Sequence, residues 1–224
     1  MIRMRSFSSA AWIILLVVLG LLFFWNVIFR LCVAIAKRSG HYLPCPVGFV
    51  WLTDNPLRRL WMRSVLAWIG LRLGELVLEL GAGAGVFTVE AAHRVGPDGK
   101  VIALDLQPGM TVRVKTRVRE AGLTNVEVLT ADAANLPIRD GAIDRAFLVA
   151  TLSEIPDQHR ALTELRRVLK TGGVLSVTEE FLDPDYPLRS KTRARVEATG
   201  FILQQSFGNF WVYTLNFGNV RRQQ

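Results

Sequence analysis

Residues Glu79-Leu80-Gly81-Ala82-Gly83-Ala84-Gly85 set three glycines at alternate positions behind an acid. Glycine lets the backbone turn tightly and approach a ligand where any Cβ would collide. The helix expected next offers free N–H groups at its start. Asp105 stands twenty residues beyond Gly85, at the end of an apolar run, where its two oxygens are placed to accept from two ribose hydroxyls. Asp132-Ala133 closes the next apolar run, and a carboxylate there can take the exocyclic amine of adenine. The three histidines, His41, His93 and His159, and the two cysteines, Cys32 and Cys45, are scattered. That excludes a disulfide framework, a redox pair and metal-ligand spacing.

These residues act together only if strands end where they stand. LVLEL (76–80) reads as a first strand, VFTVEAAHRV (86–95) as a first helix and VIALDL (101–106) as a second strand. VEVLTA (126–131) and IDRAFLVA (143–150) follow as third and fourth strands. Residues 110–121 alternate V-R-V-K like a strand, but Met110, Val114 and Val118 share a helical face. Parallel neighbours need a crossover there, so a helix is expected. QHRALTELRRVLK (158–170) is a helix with Gly172 beyond its end, and GVLSVTEE (173–180) a fifth strand. The segment 201–218 lacks a helical period and reads as two strands joined at Gly208-Asn209. For residues 75–224 the expectation is an α/β, Rossmann-like, mostly parallel seven-stranded sheet, with helices on both faces and a C-terminal antiparallel hairpin.

Nicotinamide dinucleotide folds use a similar glycine loop, but their fingerprint requires a third glycine where this chain has Val86. The spacing G-x-G-x-G behind Glu79, with Asp105 and Asp132 after the next two strands, instead resembles the class I S-adenosylmethionine-dependent methyltransferases, over residues 75–180. The resemblance implies S-adenosylmethionine as cofactor. It implies Gly81, Gly83 and Gly85 beside the methionine part, Asp105 on the ribose, and Asp132 with the Ala133 amide on adenine. Glu79 matches the acid that supports the loop or cofactor, Met110 an apolar contact to adenine, and Leu106 lies beside them. Ala150 to Glu154 stands where the family approaches the methyl group, and LRRVLKTGGVLSV is similar to the helix–turn–strand that follows. Within the family the pattern looks most like enzymes that methylate quinones and phospholipids. Thr151-Leu152-Ser153-Glu154 lacks the asparagine or histidine often found there, and the C-terminal part leaves little room for an inserted cap.

Half of the residues are hydrophobic, and the mean hydropathy is +0.28. The excess is local: residues 11–29, AWIILLVVLGLLFFWNVIF, carry no charge. As a helix they rise roughly 28 Å, close to a bilayer's hydrocarbon thickness. Residues 1–38 are therefore expected to be an N-terminal transmembrane anchor. A signal peptide is the rival reading, but the apolar run is longer than the usual 7–15 residues. The net charge of +8 is also local. Residues 1–74 hold nine of the 27 basic side chains and one of the 19 acids, and the remaining 18 of each cancel. Positive charge beside an apolar segment suits anionic lipid rather than nucleic acid. It leans toward a single-pass protein with its C-terminal body in the cytoplasm.

Residues 39–74 read as an aromatic and basic connector. Asn55-Pro56 opens a helix that ends at Gly70, with Arg58, Arg59 and Arg63 opposite Leu57, Leu60, Trp61, Val65, Trp68 and Ile69. That helix either packs on the following domain or lies at a lipid interface. Methyl transfer from a sulfonium needs mainly in-line geometry and exclusion of water. A base is needed only where the acceptor must lose a proton. Glu154, His41 and Tyr42 are the candidate catalytic residues. Glu179, Glu180 and Tyr186 read as surface or packing residues. The expected partners are the membrane bilayer and an amphipathic acceptor, a phospholipid amine or an isoprenoid quinone precursor. A methyltransferase for a membrane-associated protein and a non-catalytic nucleotide-binding module are the alternatives.

Overall fold

The computed structural model describes residues 9–39 and 54–220. The chain divides into two compact units, residues 1–42 and 43–224. The first contains one helix, α1 (Ser9–Arg38), 30 residues long. Among the described residues no helix is long and apolar enough to cross a membrane. The expected transmembrane helix is therefore not established.

The second unit opens with α2 (Pro56–Trp61) and α3 (Val65–Ile69). The single helix expected between Asn55 and Gly70 is thus two, broken by a turn over Met62–Ser64. The ends hold as expected. The Asn55 side chain accepts from the Arg58 N–H at 2.9 Å, and Gly70 closes α3 in the left-handed conformation. There follow β1 (Leu76–Leu80), α4 (Thr88–Val95), β2 (Lys100–Asp105), α5 (Pro108–Glu120), β3 (Val126–Thr130) and β4 (Ile143–Val149). A 3₁₀ turn (Leu152–Glu154) leads to α6 (Gln158–Val168), β5 (Leu169–Glu180), α7 (Arg189–Glu197), β6 (Ile202–Gly208) and β7 (Val212–Gly218). The ambiguous segment after β2 is helical, α5. The helix α7, RSKTRARVE, was not expected: it is almost wholly polar and buries only Thr192 and Val196.

The seven strands form one sheet in the order β3-β2-β1-β4-β5-β7-β6. The five on the β3 side are parallel, and β7 runs antiparallel to both β5 and β6. The chain winds outward from β1 to β3, then returns to place β4 on the other side of β1. Such a reversal opens a crevice at the carboxyl ends of the strands. The inner strands are buried on both faces. Leu78, Leu80, Leu104 and Leu148 meet Leu162 and Leu165 of α6 on one side. Val77, Val101 and Phe147 meet α3 and α4 on the other.

Candidate active site

The crevice is formed by the turns after β1, β2 and β4. The glycine loop is pinned to the end of β2, because the Gly81 and Ala82 N–H groups both donate to the Leu104 carbonyl, at 2.8 and 3.0 Å. Gly81 has a φ of +75°, and a Cβ on it would stand 2.2 Å from Thr151 Cγ2 in the turn after β4. Two loops from opposite sides of the switch therefore touch only because this residue has no side chain. At Gly83 the case is reversed. A Cβ there would meet nothing within 4 Å, so open space lies over the loop.

Asp105 is buried at the end of β2. Its Oδ2 accepts from the Gly83 N–H at 2.8 Å and its Oδ1 from the Gln107 N–H at 2.9 Å. The carboxylate thus braces the glycine loop from below, a role that its sequence position did not reveal. Each carboxylate oxygen takes about two hydrogen bonds, so acceptor capacity remains on both. Asp132 is exposed in the turn after β3, where its Oδ1 accepts from the Ala134 N–H at 2.9 Å, with Ala133 between. Leu106 is exposed beside Asp105, whereas Met110 is buried against Ala84.

Glu79 is buried, and its Oε2 accepts from the Thr88 hydroxyl, at the start of α4, at 2.5 Å. Burial pushes its carboxyl up to about 8, and the nearby Asp105 charge adds to the rise while the Thr88 hydrogen bond opposes it. At neutral pH the acid behind the glycines is mostly protonated.

After β4, Ala150 has a φ of +51°, alone among the described non-glycine residues in being positive. Its N–H donates to the Thr178 carbonyl of β5 at 2.8 Å. Such strain costs on the order of 1–3 kcal/mol and is held by the surrounding structure. It turns the chain sharply into the 3₁₀ turn Leu152–Glu154, just past Thr151, the residue that touches Gly81. His41 and Tyr42 lie outside the described residues.

Two acids that read as surface or packing residues are buried at the end of β5. Glu180 Oε1 accepts from Arg58 of α2, 2.7 Å from Nε and 2.5 Å from Nη2. Arg58 also lies 5.8 Å from the centre of the Phe87 ring, so α2 joins β5 to the residue preceding α4. Glu179 is fully buried, and neither of its oxygens has a hydrogen-bond partner among the described residues. Burial raises its carboxyl well above the usual range, reinforced by the negative charges of Asp183, Glu154 and Glu180 against the opposing Arg195. Two acids ending an apolar strand were the only signal in the sequence. The groove lined by Lys115, Val118, Leu123 and Val128 lies elsewhere, at the outer edge of the sheet.

A glycine loop braced by an acid after β2, at the switch point of a 3-2-1-4-5-7-6 sheet, defines the class I methyltransferase fold. Residues 55–194 match the ubiE/COQ5 methyltransferase family. That is more than half of the chain, which belongs to this family. It is 36% identical over 141 residues to "Ubiquinone/menaquinone biosynthesis C-methyltransferase UbiE" of Pseudomonas fluorescens, covering 62% of this chain and 55% of the relative. The protein of the same name from Pasteurella multocida is 35% identical over 132 residues, 57% of this chain and 49% of the relative. The chain spans about half the length of the curated relatives it matches. Among solved structures, a SAM-dependent methyltransferase from Aquifex aeolicus superposes with a TM-score of 0.74 at 25% identity, over 79% of this chain and all of that one. The [4+2]-cyclase SpnF superposes with a TM-score of 0.60 at 25% identity, over 67% of this chain and 59% of that one. Family and fold imply S-adenosylmethionine as the cofactor.

Proposed function

We propose that the chain is a methyltransferase that carries a methyl group from S-adenosylmethionine to an isoprenoid quinone precursor, held at a membrane by α1. The observation that carries this reading is the open space over Gly83, bordered by the Asp105 carboxylate. The residues fit the cofactor. Asp105 retains acceptor capacity for two hydroxyls, Asp132 and the Ala133 amide offer an acceptor and a donor for adenine, and Leu106 offers an apolar surface. Bound S-adenosylmethionine supplies an electrophilic methyl group on a sulfonium. Protein residues bind and orient it, and the turn Ala150–Glu154 forms the wall against which the acceptor aligns. A ring carbon that gains a methyl group must lose a proton, and Glu154 is the candidate acceptor for it.

The UbiE relatives favour a quinone precursor over a phospholipid amine. Membrane attachment is supported by the length of α1 and by the uncharged stretch 11–29 within it, in which Ile13, Ile14, Leu16 and Phe23 are all exposed. The body then faces the cytoplasm, on the positive-inside preference of Arg30, Lys37 and Arg38. The test is methyl-labelled S-adenosylmethionine added to membranes with and without the enzyme, followed by separation of quinones from phospholipids. Label in the quinone fraction is expected. Label confined to phospholipid or protein refutes the acceptor, and cofactor binding with no transfer at all leaves a binding module.

A further inference from the structure

The short helix α2 is amphipathic, yet none of its side chains is buried. Leu57, Leu60 and Trp61 lie on one face and are 79, 61 and 49% exposed. A stripe of this kind ordinarily turns into a core. Here the packing is done further along the chain, by Met62, Val65, Leu66 and Ile69.

A second exposed group stands beside it. Phe210 and Trp211, at the tip of the β6–β7 hairpin, are 55 and 49% exposed, and Leu182, just beyond β5, is 64% exposed. The groups form one edge. The Phe181 ring lies 5.1 Å from Phe210 and 4.9 Å from Trp211, and the Phe181 N–H donates to the Trp211 carbonyl at 2.7 Å. The preceding residue, Glu180, holds Arg58 of α2. Both groups therefore flank the carboxyl end of β5, next to β4, whose turn shapes the crevice.

Basic side chains border this edge. Arg59, which also pairs with Asp54 at 2.6 Å, and Arg63 are exposed on the α2 side. On the other side α7 exposes Lys191, Arg195 and Arg193, the last paired with Glu197 at 3.0 Å. Its first residue, Arg189, donates to the Asn209 carbonyl at 3.1 Å and so seats α7 against the hairpin. Asp183 and Asp185, the acids of the intervening loop, are half-buried. Exposed tryptophan, phenylalanine and leucine framed by arginine and lysine match the headgroup layer of an anionic membrane.

We propose that this edge is a bilayer-docking face. Leu57, Leu60, Trp61, Leu182, Phe210 and Trp211 enter the headgroup layer, the flanking cations meet lipid phosphates, and the mouth of the crevice stands level with the lipid. An amphipathic acceptor then passes from bilayer to site without crossing water. The inference rests on the reading of the chain as a methyltransferase for such an acceptor.

The test uses the full chain, with Cys32 and Cys45 replaced by serine and a nitroxide placed through Leu60→Cys, Phe210→Cys or Ile202→Cys. Ile202 is an exposed control on the same hairpin, at the end away from its tip, where it pairs with Gly218. In vesicles containing phosphatidylglycerol, labels at 60 and 210 are expected to lose collisions with a water-soluble nickel chelate several-fold and to gain collisions with oxygen, while the label at 202 is unchanged. Labels at 60 and 210 that stay as open to nickel as the one at 202 overturn the proposal. Spin–spin broadening between copies at 60 or 210 also overturns it, because the face then belongs to a second copy of the chain. Calorimetry of S-adenosylmethionine on the same preparation separates the two readings. Absent cofactor binding sinks the methyltransferase reading, while the accessibility result still decides the docking face.

Discussion

The substitution Glu79→Gln isolates the proton held beneath the glycine loop. Glu79 is buried, with one hydrogen bond to Thr88, and its carboxyl stands at about 8 in the fold against 4.5 for an ordinary glutamate. The unfolded chain releases this proton as pH rises past 4.5, whereas the fold keeps it until about 8. The native state therefore binds more protons across that range, and stability falls as pH rises through it. Each tenfold change in proton affinity is worth about 1.4 kcal/mol, so the loss reaches roughly 3 kcal/mol by pH 7 and roughly 5 kcal/mol above pH 8. Glutamine has the shape of the protonated acid and still accepts from Thr88, but it cannot ionise. Urea denaturation of both proteins at pH 5, 6, 7 and 8 is the assay. All other titrating groups cancel in the difference, which is expected to stay within about 1 kcal/mol at pH 5 and to grow in favour of Glu79→Gln. With a slope of about 2 kcal/mol/M, the midpoints separate by roughly 1–2 M urea at pH 7. A difference that stays constant from pH 5 to pH 8 refutes the reasoning, because Glu79 would then ionise alike in both states.

Four further outcomes are expected. Asp105→Ala removes the acceptor for Gly83 and for the ribose, and calorimetry should show S-adenosylmethionine binding weakened by roughly ten- to a hundredfold, for charge-assisted bonds worth about 1.5–3 kcal/mol. Gly81→Ala drives a Cβ into Thr151 Cγ2 at a positive φ, and a loss of about 2 kcal/mol or more is expected in denaturant melts. Arg58→Ala leaves the buried Glu180 without its cation, costing about 3–5 kcal/mol, and Arg58→Lys should restore only part of it. Deleting residues 1–38 should lower the fraction of protein that sediments with membranes, leaving only what the body itself holds, while cofactor affinity, read by calorimetry, is unchanged.

Much of the fold was legible in the sequence because parallel strands buried on both faces are short apolar runs, as LVLEL and VIALDL are, although β2 begins one residue earlier, at Lys100. The hairpin was legible because residues 201–218 lack a helical period and are interrupted by the turn pair Gly208-Asn209. What escaped depended on partners far along the chain. The break after Trp61 arises because Met62 packs with Val65, Leu66 and Ile69 while Leu57 and Leu60 do not, and one helical period covers both sets. The helix α7 carries almost no apolar periodicity and is fixed by Thr192, whose hydroxyl lies 2.8 Å from that of Tyr213, and by Val196 in the core. In the site, the spacing of the glycines, Asp105 and Asp132 marked the cofactor crevice. It did not show that Asp105 braces Gly83, a side-chain-to-backbone bond between two strand ends. Nor did it show that Glu179 is buried with no hydrogen-bond partner among the described residues, since exposure is not written in a residue's type.

The position of β7 separates the order of synthesis from the order of pairing. Val212–Gly218 leaves the ribosome after β1 to β6, yet it lies between β5 and β6 and, among the described residues, is the one strand that pairs with β6. Until it arrives, β5 presents an unpaired edge and β6 has no strand to join, the condition in which nascent chains pair wrongly with one another. The half that holds the glycine loop has no such wait, because β1 to β5 neighbour one another without β7. The crevice can therefore take shape on a chain whose sheet is still open, before β7 pairs with β5 and β6.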